Sequence, residues 1–171
     1  MAEDNFMQRI SVEKVTVNMG IGNAPEELKK AKQVIEKVTG CNAKQTLCKV
    51  KQPKWDIRPG LPIGLKVTMR GEKAVEFLKR ALAAKENQLK KSSFDNRGCF
   101  GFGIKEHIDL PGIKYDPSLG IRGFDVLVTL KRPGFRIKTR KIKTSRVGKR
   151  HLILRENAVD FVRRQFGVEI V

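Results

Sequence analysis

Residues 63–70, IGLKVTMR, alternate without a break: Leu65, Val67 and Met69 fall on one side, Lys66, Thr68 and Arg70 on the other. A side-chain period of two belongs to extended chain, so this is a strand with an apolar face and a cationic, hydrogen-bonding face. Residues 10–19, ISVEKVTVNM, repeat the design, setting Val15, Val17 and Met19 against Lys14, Thr16 and Asn18. Strands built this way form a sheet that is dry on one side and wet on the other.

Helical spacing covers the dry side. Leu28, Ala31, Val34, Ile35 and Val38 recur at intervals of three and four. Asn23 stands three residues before Glu26 as a cap, Pro25 suits the first turn and Gly40 stops the helix. A second helix spans residues 72–85 with Val75, Leu78 and Leu82 as its stripe. Further strands are expected at residues 43–50, 100–108 and 124–130, and a last helix at 156–166, with Val159, Val162 and Phe166 inward and Gly167 as its stop. The order strand, helix, strand, strand, helix, strand, strand predicts an α+β fold: an antiparallel sheet with helices packed on one face.

The chain has 171 residues, 36 Lys plus Arg against 18 Asp plus Glu, a net charge of +18, and 40% hydrophobic residues. It can bury a core and still carry a large positive surplus, the combination of a folded polyanion binder. Neutralising phosphates releases condensed counterions, so a nucleic acid is the natural partner. Membrane attraction by charge is the rival, and no apolar run approaches the roughly 18 residues of a span. The opening MAEDNFMQRI lacks the order of a signal peptide, which points to the cytosol.

Two segments stand apart from the sheet. Residues 51–62, KQPKWDIRPGLP, hold three prolines and one glycine, which exclude regular structure and predict a stiff, protruding basic loop carrying Lys51, Lys54, Trp55 and Arg58. Trp55 has two uses open to it, stacking on a base or pinning the loop to the body. Residues 131–150 contain ten Lys or Arg and no acid, among them Arg136, Lys138, Arg140, Lys141, Lys143, Arg146, Lys149 and Arg150. We therefore divide the single domain into a body, residues 1–130, and a basic arm with a docked C-terminal helix, residues 131–171.

Other motifs are weaker. NMGIG, residues 18–22, places G-x-G between strand and helix, but Pro25 stands where a third glycine is needed and no acidic ribose ligand follows. RGCFGFGI, residues 97–104, resembles the aromatic strand of an RNA recognition motif with Cys99 shifting the register, which turns Phe100, Phe102 and Ile104 into the core. Gly101 and Gly103 then leave the opposite face bare. Cys41, Cys48 and Cys99 form no C-x-x-C pair, and His107 and His151 lie off finger spacing, so neither disulfides nor a metal are expected. No nucleophile stands with a base, so neither catalysis nor a cofactor is expected.

TVNMGIG, the VTG that follows the first helix, RPGLPIGLKVTMRG, a helix reading AVEFLKR and GIRGFDVLVTL together resemble the family of large-subunit ribosomal proteins numbered five. The resemblance covers nearly the whole chain, and the tail KRPGFRIKTRKIKTSRVGKRH with ENAVDFVRRQFGVEIV is similar to the archaeal and eukaryotic branch. It implies a sheet whose polar face holds 5S rRNA in the central protuberance, a loop that touches P-site tRNA, other large-subunit rRNA and protein neighbours, and a contact with a small-subunit head protein. The 5S contact is implied to use Lys14, Asn18 and Thr68, with Thr16, Lys66 and Arg70 on the same face. A family glutamine falls on Cys41, with Asn42 and Gln45 beside it as replacements. The tRNA-facing loop corresponds to residues 49–62. The alternatives are a non-ribosomal RNA chaperone and an RNA-modifying enzyme or nuclease; the second lacks a catalytic constellation.

Overall fold

The computed structural model describes residues 5–22 and 24–171. Strand β1 (Ser11–Gly20) leads to helix α1 (Pro25–Thr39), then to β2 (Lys44–Leu47) and β3 (Pro62–Met69), helix α2 (Glu72–Ala83) and the short β4 (Gln88–Leu89). Strands β5 (Phe100–Ile104) and β6 (Phe124–Lys131), helix α3 (Arg155–Phe166) and β7 (Glu169–Ile170) complete the chain. Five strands form one sheet in the order β2-β3-β1-β6-β5, every neighbour antiparallel. The fold is α+β, as the alternation requires.

The inward residues of the strands, Val15, Val17, Met19, Leu65, Val67, Met69, Phe100, Phe102 and Ile104, are all buried. They join Leu28, Ala31, Val34, Ile35 and Val38 of α1, and Phe77, Leu78 and Leu82 of α2, in one hydrophobic cluster. Helix α1 packs over β3 and α2 over β1. Each of the larger side chains removed from water in this way contributes roughly 1.5–3 kcal/mol. Gly71 starts α2 at φ 68° and ψ −147°, a conformation that a Cβ would oppose, and so lets the chain reverse from β3 into the helix.

Several boundaries differ from the sequence reading. Strand β2 is half its expected length, because its register against β3 shifts at Leu47; beyond it Cys48 N–H donates to Leu61 C=O at 2.8 Å and Gly60 N–H to Cys48 C=O at 3.0 Å, an irregular continuation of the pairing. Strand β5 ends at Ile104: His107 is buried in a short 3-10 turn and its N–H donates to Arg122 C=O at 3.1 Å, so side-chain burial takes over from the ladder. On α2, Ala74 and Phe77 take the fully buried places and Val75 lies at the margin. On α3, Ala158 and Val162 are buried, while Val159 and Phe166 are partly exposed. Asn23 lies outside the described residues; Ala24 occupies the cap position of α1 without a side-chain hydrogen bond.

The C-terminal segment returns to the body. Strands β4 and β7 pair in parallel, pairing Leu89 with Ile170, and Ile153, Ala158, Val162 and Val168 enter the common cluster. Residues 88–89 and 169–170 are too short to carry any periodic signal, so this small sheet has no mark in the sequence.

Candidate nucleic-acid interface

The register fixes which polar residues meet. Across the wet face, Lys44 pairs with Lys66, Lys66 with Asn18, and Asn18 with Asp125; one row further, Thr68 pairs with Thr16 and Thr16 with Leu127. Lys14 pairs with Thr129 in the next row, just past a bulge whose extra residue is Glu13. Such directly opposite side chains stand about 4.5–5.5 Å apart at Cβ, so the face is a close-set grid of mostly polar side chains that also carries the Asp125 carboxylate and the apolar Leu127. Among the described residues, no hydrogen bond or ion pair within the protein occupies the side chains of Lys14, Thr16, Asn18, Lys66, Thr68 or Arg70. The ion pairs lie elsewhere: Lys37 with Asp116 at 3.0 Å, Arg122 with Glu27 at 3.4 Å and Lys32 with Glu36 at 3.9 Å.

The grid includes residues that sequence reasoning missed. Lys44 and Thr46 of β2, and Asp125, Leu127 and Thr129 of β6, all lie on it. For the β6 residues a signal is present in their alternation with Phe124, Val126, Val128 and Leu130, which are buried. Leu127 is 49% exposed in the middle of the face and its Cδ2 lies where a Cβ on Gly101 would fall, 2.7 Å away. The backbone at Gly101 is therefore covered by β6 and is not bare.

Residues 51–62 are more regular than their prolines suggest. They form the tip of the β2–β3 hairpin at the sheet edge, with Gln52 and Ile57 exchanging backbone hydrogen bonds at 2.9 and 3.2 Å around a 3-10 turn at Pro53–Trp55. The paired Gln52 and Ile57 close the tip, and the prolines stiffen what is already a hairpin. Lys51, Lys54 and Arg58 are exposed, and so is Trp55, at 67%. Of the two uses open to Trp55, pinning the loop is thereby set aside.

The profile of the family described as ribosomal protein L5 matches residues 5–58, and the profile of that ribosomal family's C-terminus matches residues 62–161. The chain belongs to the ribosomal protein L5 family. The large ribosomal subunit protein uL5 of Nanoarchaeum equitans is 48% identical over 166 residues, covering 96% of this chain and 98% of its own. Those of Pyrobaculum aerophilum, 48% identical over 96% of this chain and 92% of its own, and Methanococcus maripaludis, 46% over 99% and 95%, are similar along the same length. Membership makes this L5-family chain a ribosomal protein of the large subunit, a structural constituent and not an enzyme, at work in the ribosome of the cytoplasm.

Within the L5 framework, Cys41 sits half-buried just after α1, its N–H donating to Thr39 Oγ1 at 3.3 Å, while that hydroxyl donates to Ile35 C=O at 2.7 Å. Asn42 is exposed beside it. Gln45 pairs with Leu65 and so belongs to the helix side of the sheet, away from the grid; Lys44 and Thr46 hold the wet positions. In the arm, Arg136, Lys138, Arg140, Lys141, Lys143, Arg146, Lys149 and Arg150 are all exposed. The structure therefore gathers Lys14, Thr16, Asn18, Lys66 and Thr68 on one face, with Arg70 at its rim, but Thr16 is itself buried between its neighbours at 8% exposure; the hairpin tip and the arm are separate groups.

Proposed function

We propose that this large-subunit protein binds 5S rRNA in the central protuberance through the wet face of its sheet. Lys14 and Lys66 meet phosphates, while Asn18 and Thr68, with Thr16 between them, set the register on one RNA. The observation that carries the reading is the grid itself: Lys14, Asn18, Lys66 and Thr68 held in fixed rows, backed by a buried layer, with no internal side-chain partners among the described residues. The exposed hairpin tip, with Trp55 between Lys54 and Arg58, is the surface for P-site tRNA, where an aromatic ring can stack and cations meet the backbone. A small-subunit head protein is a further neighbour on this reading, and the arm serves large-subunit rRNA.

The test is a filter or calorimetric binding titration with 5S rRNA. Asn18→Ala and Thr68→Val both keep charge, and Thr68→Val also nearly keeps volume, so each is expected to weaken binding by about 1–3 kcal/mol, chiefly through unmatched polar partners. Unchanged affinity for both variants, with the fold intact by circular dichroism, overturns the face assignment.

A further inference from the structure

The stretch KRPGFRIK, residues 131–138, leaves the sheet by a turn written into its residues. Phe135 N–H donates to Arg132 C=O at 3.3 Å, with Pro133 second and Gly134 third at φ 88° and ψ −11°. That is a type II turn, whose third residue must be left-handed and is therefore glycine. The turn folds the start of the arm back toward the end of β6. Lys131, Arg132, Arg136 and Lys138 then line one cavity of about 420 Å³ together with Arg70 from the end of β3.

The charge in this cavity is unbalanced. Glu13, the bulge residue of β1, is the single carboxylate in a lining that holds those five cations. Among the described residues no ion pair joins any of the five to an acid. Arg132 is only 9% exposed; its Nη1 reaches the C=O groups of His151 and Leu152 at 3.4 Å, and its Nε has no hydrogen-bond partner. A guanidinium cannot shed its proton, so burial without a counter-charge is unfavourable until an anion supplies one. The same side chain borders a larger groove against α3, where Glu72, Glu76 and Asp160 match Arg9, Arg132 and Arg164 in number although none of them forms an ion pair with Arg132 among the described residues, so the positive surplus lies on the arm side. Lys138 is held in place, its Nζ 4.6 Å from the centre of the buried Phe135 ring.

We infer that this cavity is a phosphate site, in which Arg132 is the buried anchor and Lys131, Arg136, Lys138 and Arg70 complete the positive lining. Guanidinium edges match phosphate oxygens in geometry as well as charge, and the volume lies in the range of small-ligand clefts, roughly 300–1,000 Å³. The phosphate belongs to the RNA on the sheet face: Arg70 follows Thr68 by two residues, so the polar row of β3 runs into the cavity. The inference rests on the sheet-face reading above and extends it to the arm. Free phosphate is the other source of the same chemistry.

Ethylation interference on 5S rRNA tests the site. Random esterification of phosphates removes one charge at a time, and wild type is expected to lose binding at a set of positions. Arg132→Met keeps the volume and removes the buried charge. It is expected to bind about tenfold more weakly, to abolish interference at one phosphate of that set, and to lower the log–log salt slope by about 0.7 to 0.9. Lys138→Gln, at an exposed position, is expected to soften interference at the same phosphate. Its unchanged thermal midpoint keeps the test valid should Arg132→Met fold poorly. An unaltered interference pattern and salt slope in both variants overturns the site. A rise in thermal midpoint with inorganic phosphate at constant ionic strength, present in wild type, absent in Arg132→Met and unaccompanied by any change in RNA interference, overturns the RNA source. If Asn18→Ala and Thr68→Val weaken binding while the cavity variants do not, the cavity fails alone; if none of the four matters, the face reading fails with it.

Discussion

The wet face of the sheet and the basic arm carry the same chemistry on opposite foundations. Each polar residue of β1 and β3 alternates with a buried neighbour, so Thr16, Asn18 and Thr68 hold positions set by Val15, Val17 and Val67. The arm has no such backing between its feet. Residues 139–146 are exposed throughout, tied by Ser145 N–H to Ile137 C=O at 3.1 Å and Arg140 Nε to Lys143 C=O at 2.6 Å. Its feet are packed: Phe135 is buried against His151, whose Nε2 lies 2.8 Å from Pro133 C=O. Rigid donors choose a register, and loosely held cations add affinity without choosing.

The largest effect expected from this contrast is on stability. Leu65→Ala opens a cavity beneath Lys66 and is expected to cost about 2–5 kcal/mol in urea unfolding. Replacing Arg140, Lys141, Lys143 and Arg146 together by glutamine is expected to change it by no more than about 0.5 kcal/mol, while lowering the salt slope of RNA binding. Equal destabilisation by the two changes breaks the comparison.

Amide exchange sharpens it. Ordering costs about 1–2 kcal/mol per residue, and Ile137, Ile142 and Val147 bury too little to offset that for the stretch between the feet. Residues 139–146 are expected to exchange quickly in the free protein and slowly on rRNA; strong protection in the free protein contradicts the view of the arm as loosely held.

The hairpin tip is expected to matter less for 5S rRNA than either region. Lys51→Ala, Lys54→Ala and Arg58→Ala combined are expected to leave that binding within about 1 kcal/mol at physiological salt, because charges beyond roughly 8 Å are screened. The same variant is expected to assemble into subunits and lose P-site tRNA affinity. Abolished 5S binding would make the tip, and not the face, the principal rRNA site.

The smallest effect concerns a contact far from both regions. Hydrogen bonds from the Ser118 hydroxyl at 2.7 Å, Lys37 at 3.0 Å and the Ser118 N–H at 3.2 Å hold the pKa of the Asp116 carboxyl at about 2, below its ordinary value of 3.8. A lowered folded value contributes stability that is present above the unfolded value and lost as pH falls toward about 2. Asp116→Asn is expected to flatten slightly the dependence of unfolding free energy on pH between about 4 and about 2 at low salt. Identical slopes in the two proteins would leave the contact without energetic weight.

Much of this is legible in the sequence, for local reasons. The period of two in residues 63–70 and 10–19 assigns every side chain of those strands to a face, and the spacing of Leu28, Ala31, Val34, Ile35 and Val38 assigns the inner side of α1. The one-residue offset at Cys99 places Phe100, Phe102 and Ile104 inside, where they lie. Where neighbours in space decide, local pattern is silent: Gln45 is offered only as a replacement for the family glutamine that falls on Cys41, and pairing with Leu65 puts it on the helix side of the sheet.

By itself, then, the sequence determined the three helices, the five strands of the main sheet, its two faces and the positive surplus, because periodicity and charge are carried by residues close along the chain. Only the tertiary structure decided the rows. That Lys66 stands between Lys44 and Asn18, and that Asp125 and Leu127 share the face with Asn18 and Thr16, follows from pairing strands far apart in sequence. The convergence of Arg70 with Arg132 and Lys138 likewise depends on a turn at Pro133 and Gly134 folding against the end of another strand. Such contacts are set by backbone hydrogen bonding and packing of distant segments, which no local pattern of residues records.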